Sequence, residues 1–207
     1  MSKYDIPLFN IEDLLKEVSI IDVFHVEQKI NVIKKWSNNE HIKNQSEIQL
    51  AGEFFKDIFV DVLDYNTVTS GEENWSLFIE QKTEVDGTKP DGILGFYSSS
   101  NTLGKTQAVV ELKGYNIDLD EKQKRYSKDY GTPIEQAFRY ASKYDGCKWV
   151  LVSNFKEIRI YKVGRSQNYY EKFLLENLHE LNEFKRFYLI LCRNNLTTIE
   201  NKSKTNC

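Results

Sequence analysis

Gln107-Ala-Val-Val-Glu-Leu-Lys113, closed by Gly114, sets how this chain folds. Small and apolar residues run into an acid, a leucine, a base and a glycine. Side chains alternate across a strand, so Glu111 and Lys113 share one face while Leu112 takes the other. A charged pair at the end of an otherwise buried strand costs free energy unless it has a partner. Upstream, Lys89-Pro90-Asp91-Gly92 leads into a second apolar run, Ile93-Leu94-Gly95-Phe96-Tyr97. Asp91, Glu111 and Lys113 then read as Asp…Glu-x-Lys: two carboxylates able to share a divalent cation, with a lysine beside them.

Around this motif three strands are expected, Asn74–Lys82, Asp91–Tyr97 and Lys105–Lys113. The Asp86-Gly87 turn and the polar stretch Ser98–Gly104 join them as an antiparallel meander. Before them, Ser46–Tyr65 predicts a helix. Ser46 and Gln49 make a capping box, and Ala51, Phe54, Phe55, Ile58 and Val62 form one apolar stripe. Glu47 falls on that stripe in the first turn. It either compensates the helix dipole or stands beside the cation, whereas Glu53 faces the opposite way. Residues 1–45 contribute short surface helices, Ile11–Val18 and Val26–Trp36.

Beyond the motif, Tyr115–Gly131 is long and charged, with Lys122, Lys124, Arg125 and Lys128. It is either a loop over the site or a solvated connector. Thr132-Pro133-Ile134-Glu135 combines an N-cap, a first-turn proline and a capping-box glutamate. The helix it starts runs to Tyr144, with Ile134, Ala137, Phe138 and Ala141 facing inward and Gln136, Tyr140 and Lys143 aligned on another face. Lys148–Ser153 reads as a strand buried on both sides and Glu157–Tyr161 as an edge strand. Tyr170–Arg193 shows helical spacing, and Asn194–Cys207 is a polar tail. The expected organisation is a helical extension (1–45), a core (46–165), and C-terminal helices with a tail (166–207).

A chain of 207 residues with 40% hydrophobic content can bury one good core or two small ones. No apolar run approaches the ~20 residues of a membrane span, and the N-terminus lacks a signal-peptide pattern. Cys147, Cys192 and Cys207 are scattered without metal-type pairing, which points to a reducing, cytoplasmic compartment. The net charge of -3 argues at first against a nucleic-acid partner. Its distribution argues otherwise: residues 1–104 carry -9, residues 105–148 carry +2 and residues 149–207 carry +4. The Glu-x-Lys motif and the chain beyond it form the basic part, as a DNA-facing side would.

Pro90-Asp91 and Glu111-Leu112-Lys113, set in a helix–strand–strand–strand–helix–strand order, resemble the PD-(D/E)XK nuclease superfamily. Gln136-x-x-x-Tyr140 matches the QxxxY motif of one branch. More closely, Glu53-Phe54-Phe55-Lys56-Asp57-Ile58-Phe59, Lys89-Pro90-Asp91-Gly92, Val110-Glu111-Leu112-Lys113-Gly114, Thr132-Pro133-Ile134-Glu135-Gln136-Ala137 and Trp149-Val150-Leu151-Val152-Ser153-Asn154-Phe155 look like the N-terminal nuclease domain of type IIG restriction-modification enzymes. The resemblance covers roughly residues 46–162. It implies an α/β (α+β) fold with a restriction-endonuclease-like αβββαβ core, a central mixed sheet and flanking helices. It also implies a deoxyribonuclease acting on double-stranded DNA with Mg²⁺ (or Mn²⁺), in a bacterial defence system.

The residues suit that chemistry. Phosphodiester hydrolysis needs an activated water and neutralisation of developing charge, which a carboxylate-bound divalent ion provides. Asp91 and Glu111, on neighbouring strands, are the expected ligands, with the Leu112 carbonyl and Glu47 as further donors. Lys113 would orient the water or stabilise phosphate oxygens, and Gln136 and Tyr140 would contact phosphate. The competing readings are structural: a strand-end ion pair for Lys113, and a half-buried polar pair for Gln136 and Tyr140. The implied partners are methyltransferase and target-recognition domains or subunits, for which this chain carries no motif, and a second copy where both strands are cut. The rival readings of the whole are a catalytically inactive binding module and a free-standing repair or anti-phage nuclease.

Overall fold

The computed structural model of the chain describes residues 6–125, 128, 129 and 131–196. Two amphipathic helices come first, α1 (Ile11–Ile20) and α2 (Val26–Ser37). Asn10 caps α1 by accepting from the Glu12 and Asp13 N–H groups, and α2 buries Ile33 and Trp36. The next helix, α3 (Glu47–Phe54), opens with the expected capping box. The Gln49 N–H donates to Ser46 Oγ while the Ser46 N–H donates to Gln49 Oε1.

The helix does not continue to Tyr65 in the α form. Phe55–Val62 winds in wider π turns, and at its end the Leu63 N–H reaches Ile58 O and the Tyr65 N–H reaches Phe59 O. The wider turn buries Phe54, Phe55, Ile58 and Phe59 together, a broader face than the single stripe expected. Their rings fill one aromatic cluster: Trp36 and Phe155 both pack on Phe54, and Phe55 packs on Phe59. Carbonyls freed at the helix end are met by the buried Lys29, whose Nζ donates to Asp61 O and Val62 O.

Strands β1 (Asn74–Ile79), β2 (Gly92–Ser98) and β3 (Asn101–Leu112) form the expected antiparallel meander. Within the segment read as a loop or connector, β4 (Lys124–Arg125) and β5 (Lys128–Asp129) pair as a small ribbon. Then α4 (Pro133–Ala141) starts with its capping box, Thr132 with Glu135, and with proline in the first turn. After it come β6 (Trp149–Ser153), parallel to β3, and β7 (Glu157–Lys162) and β8 (Tyr170–Leu174), both antiparallel. Finally α5 (Leu181–Leu191) leads into a helical turn, Arg193–Leu196. The large sheet runs β1-β2-β3-β6-β7-β8. It is a mixed α/β fold with the αβββαβ order that the resemblance implied.

Three expectations need correction. Tyr170–Leu174 is a strand, not the start of a helix, and it covers β7, which is therefore not an edge. At the C-terminus, Arg193–Leu196 is helical and buries Leu196, where a polar tail was expected to begin; residues 197–207 lie outside the described part.

Alternation along the central strands supplies two faces. Leu94, Ala108, Val110, Leu112 and Leu151 point into the larger cluster under α2, α3 and α5. That cluster also takes in Leu14 and Ile33 from the first 45 residues and Phe184 and Phe187 from beyond residue 165. Ile93, Val109, Val150 and Val152 point the other way, onto Ile134, Ala137 and Ala141 of α4. Among the described residues no helix is long and apolar enough to cross a membrane.

Candidate active site

The register of the meander assembles the acids. Gly92 pairs with Val110 across β2 and β3, which sets Asp91 beside Glu111 at the ends of the two strands. Asp91 Oδ2 accepts from the Leu112 N–H at 2.6 Å, so the carboxylate is tied to the neighbouring strand. Glu111 lies between Val110 and Leu112, both committed to the larger cluster, and so faces the α4 side. There Lys113 Nζ donates to Glu111 Oε1 at 2.5 Å, and Gln136 Nε2 donates to the same oxygen at 2.5 Å. Glu111 is 2% exposed and Lys113 7%. On the strand's other neighbour, the Lys113 N–H continues the ladder to Ser153 O.

Glu47 joins from the first turn of α3: the Gly114 N–H donates to its Oε2 at 3.1 Å. The helix start and the end of the Glu-x-Lys strand therefore touch. Gln136 reaches Glu111 from α4, whereas the described contacts of Tyr140 lie elsewhere. Its ring packs with the smaller cluster, and Lys143 Nζ sits 5.3 Å from its centroid. Lys143 also donates to Asp86 Oδ2 and Thr88 Oγ1 at 2.7 and 2.6 Å. It thereby ties α4 to the turn that leads into Asp91, and it holds the Asp86 carboxyl well below its usual pKa. Glu53, as expected, is exposed.

Electrostatics bind these groups into one unit. Burial pushes the Glu111 carboxyl up to about 8, with Lys113 opposing and Asp91 and Glu47 adding to the rise. Burial likewise raises Asp91, partly offset by the Leu112 N–H and by Lys113. For Lys113, burial works to lower the pKa, but Glu111, Glu47 and Asp91 together outweigh it and hold the ammonium above its ordinary value. Three acids thus share one buried cation.

A divalent metal fits this arrangement. Among the described residues no three His, Cys, Asp or Glu side chains form a ready-made cage. Mg²⁺, however, is commonly held by one or two carboxylates with water completing the shell. Asp91 and Glu111 supply such a pair; burial is the main cause of the raised Glu111 pKa, and a cation would offset both that burial and the smaller repulsion from Asp91 and Glu47. The described donors fall on Glu111 Oε1.

One partner escaped the sequence reading. Gln123, just before β4, donates from Nε2 to Gln136 Oε1 at 3.0 Å. Nothing in its neighbourhood signals this, because an uncharged side chain in a polar segment has no periodicity to read.

Comparison with known proteins gives the family. The family described as the MmeI N-terminal domain matches residues 26–204. This chain belongs to it. The MmeI N-terminal family is the nuclease region of type IIG restriction enzymes, so the chain is a restriction-system nuclease domain. A cryo-EM structure of a DrdV–DNA complex is a structural neighbour at TM-score 0.41 and 13% identity, over 85% of this chain and 95% of that one. No curated protein gives a significant match.

Proposed function

We propose that this member of the MmeI N-terminal family is a Mg²⁺- or Mn²⁺-dependent DNA endonuclease, the cleavage module of a type IIG-like restriction-modification system. The observation that carries this reading is the gathering of three acids at the end of β3, where Glu111 pairs with the buried Lys113, Asp91 accepts from the Leu112 N–H and Glu47 accepts from the Gly114 N–H. In this reading Asp91 and Glu111 hold the ion and Glu47 is a third acid beside it. Bound there, the ion would supply Lewis acidity and would lower the pKa of the attacking water so that it can lose a proton. Lys113 keeps its proton at Nζ and presents a positive charge to phosphate oxygens as they gain charge. Gln136 holds Glu111 Oε1, and Glu111 would use its carboxylate to help hold the ion. Tyr140 offers a phenol for the DNA backbone, where uncharged donors fix register without reading sequence. The substrate is double-stranded DNA. Methyltransferase and target-recognition domains or subunits provide grip and address, and pairing of two copies is a route to cutting both strands.

The test is a Mn²⁺ titration followed by melting temperature and by plasmid nicking, on the parent and on Asp91→Ala. The expected result is a cation-dependent rise in Tm together with nicking, both lost in the variant. The closed Lys113–Glu111 ion pair favours a second reading, a non-catalytic module braced by that pair. A parent with neither Tm shift nor nicking would be such a module.

A further inference from the structure

We propose that Gln123 is a positioning residue for the Glu111 site, acting through the side-chain amide of Gln136. The inference rests on reading Glu111 as a cation ligand. A primary amide has an acceptor end and a two-donor end of nearly the same shape. An ionised carboxylate only accepts, so Gln136 supports Glu111 only with its NH₂ end toward it. Turned over, it would set oxygen against oxygen.

Gln123 reinforces that orientation from the other end of the amide. Its Nε2 donates to Gln136 Oε1 at 3.0 Å, and Gln136 Nε2 then donates to Glu111 Oε1 at 2.5 Å. Donation runs in one direction, from the segment before β4 through α4 to β3. Gln123 is itself anchored by its main chain, since its N–H donates to Gly131 O at 2.9 Å. That bond closes the base of the β4–β5 ribbon directly before Thr132, which caps α4. Gln123 and Gln136 are therefore fixed to the same helix start. Partners of this kind behind a metal ligand commonly matter by 10–100-fold in metal affinity or activity.

Two substitutions separate this role from its rivals. Gln123→Ala removes the donor, while Gln123→Glu is nearly isosteric and replaces the donor with an acceptor. A carboxylate at 123 accepts from the Gln136 NH₂ and turns the Gln136 oxygen toward Glu111. Simple charge addition predicts the opposite sign, because one more acid near the site should tighten cation binding. The expected result is weaker Mn²⁺ binding by calorimetry, by about tenfold in Gln123→Ala and approaching ~100-fold in Gln123→Glu. The turnover number should fall in the same order while KM for DNA and Tm stay at the parental values. Unchanged Mn²⁺ affinity in both variants overturns the proposal, as does tighter binding in Gln123→Glu. Equal losses that track a falling Tm also overturn it, as the mark of a structural brace. Asp91→Ala is the control for the underlying reading: if it leaves Mn²⁺ affinity intact, the assigned cation site fails on its own account. In that case the exchange rate of the Gln136 side-chain NH₂ by NMR decides for Gln123. Slow exchange in the parent and fast exchange in Gln123→Ala supports it, and equal rates overturn it.

Discussion

Gln136 of α4 and Glu111 of β3 meet through a 2.5 Å hydrogen bond between residues 25 apart in sequence. The bond joins the helix on one side of the sheet to the strand whose end carries the charged motif. Lys113 donates to the same carboxylate oxygen, so both described donors meet on Oε1 of Glu111.

Gln136→Ala should therefore lower turnover on the order of 10–100-fold, as expected for a residue that orients a metal ligand. Losing one donor to a buried carboxylate that keeps Lys113 should cost about 1–3 kcal/mol of stability. Steady-state nicking and thermal denaturation check both. A much larger stability loss with turnover intact would make Gln136 a brace for the fold.

The raised Glu111 pKa gives a pH dependence with a definite sign. Its folded value, about 8, lies above the ~4.3 of an unfolded glutamate. Folding thus favours the protonated form. This group's contribution to stability is complete below about pH 4.3 and is lost as pH rises toward the folded value. Cation binding needs the carboxylate, so Mn²⁺ affinity should rise through the same window, with about one proton released per ion near neutral pH. Calorimetry in buffers of different ionisation enthalpy counts that proton, and a count of zero would mean Glu111 is already ionised.

Glu47 and Glu53 provide an internal comparison on one helix. Glu47 reaches the Gly114 N–H at 3.1 Å and acts on both Glu111 and Lys113, whereas Glu53 is exposed. Glu47→Gln should weaken Mn²⁺-dependent nicking severalfold and Glu53→Gln should leave it unchanged. Equal effects would return Glu47 to the role of a helix-end acid.

Much of this was legible before the structure. Two capping boxes marked the starts of α3 and α4, and alternation with turn residues marked the meander, because local hydrogen bonds and period-two burial leave traces in sequence. Strand β8 was not legible, for a physical reason. Tyr170, Phe173 and Leu174 stand at helical spacing, and the residue that restores alternation is the buried acid Glu171. Its carboxylate accepts from the Leu8 N–H and pairs with Arg186, each at 2.8 Å, and neither partner is visible from the segment itself. The π turns of Phe55–Val62 were hidden similarly, since tertiary aromatic packing decides them rather than propensity.

Gly92 links those π turns to the site. A Cβ there would stand 2.6 Å from Cε1 and Cζ of the buried Phe55 ring, so only glycine lets β2 lie against the helix beside Asp91. Gly92→Ala should destabilise by roughly 1–3 kcal/mol through overpacking and lower activity by displacing Asp91. Adding Phe55→Leu should recover part of the stability in urea denaturation. A single Gly92→Ala variant with parental stability and turnover would show that the ring moves aside freely.

The last prediction concerns what the chain does on its own. Affinity for duplex DNA comes largely from neutralised phosphates, each adding about 0.9 to the salt slope. Here the net charge is -3, and the basic excess after residue 104 is only +6. Sequence is read by a helix or a two-stranded ribbon lodged in a groove. The described helices lay their apolar faces on the sheet clusters, and the β4–β5 ribbon has two residues per strand. The purified chain should therefore nick plasmid DNA only at high enzyme and low salt, with Mg²⁺ or Mn²⁺ present, and at scattered positions. Sequencing the fragment ends over a salt series tests this directly. One preferred site cut efficiently at physiological salt would overturn it, and would direct attention to residues 115–131 as a reading element.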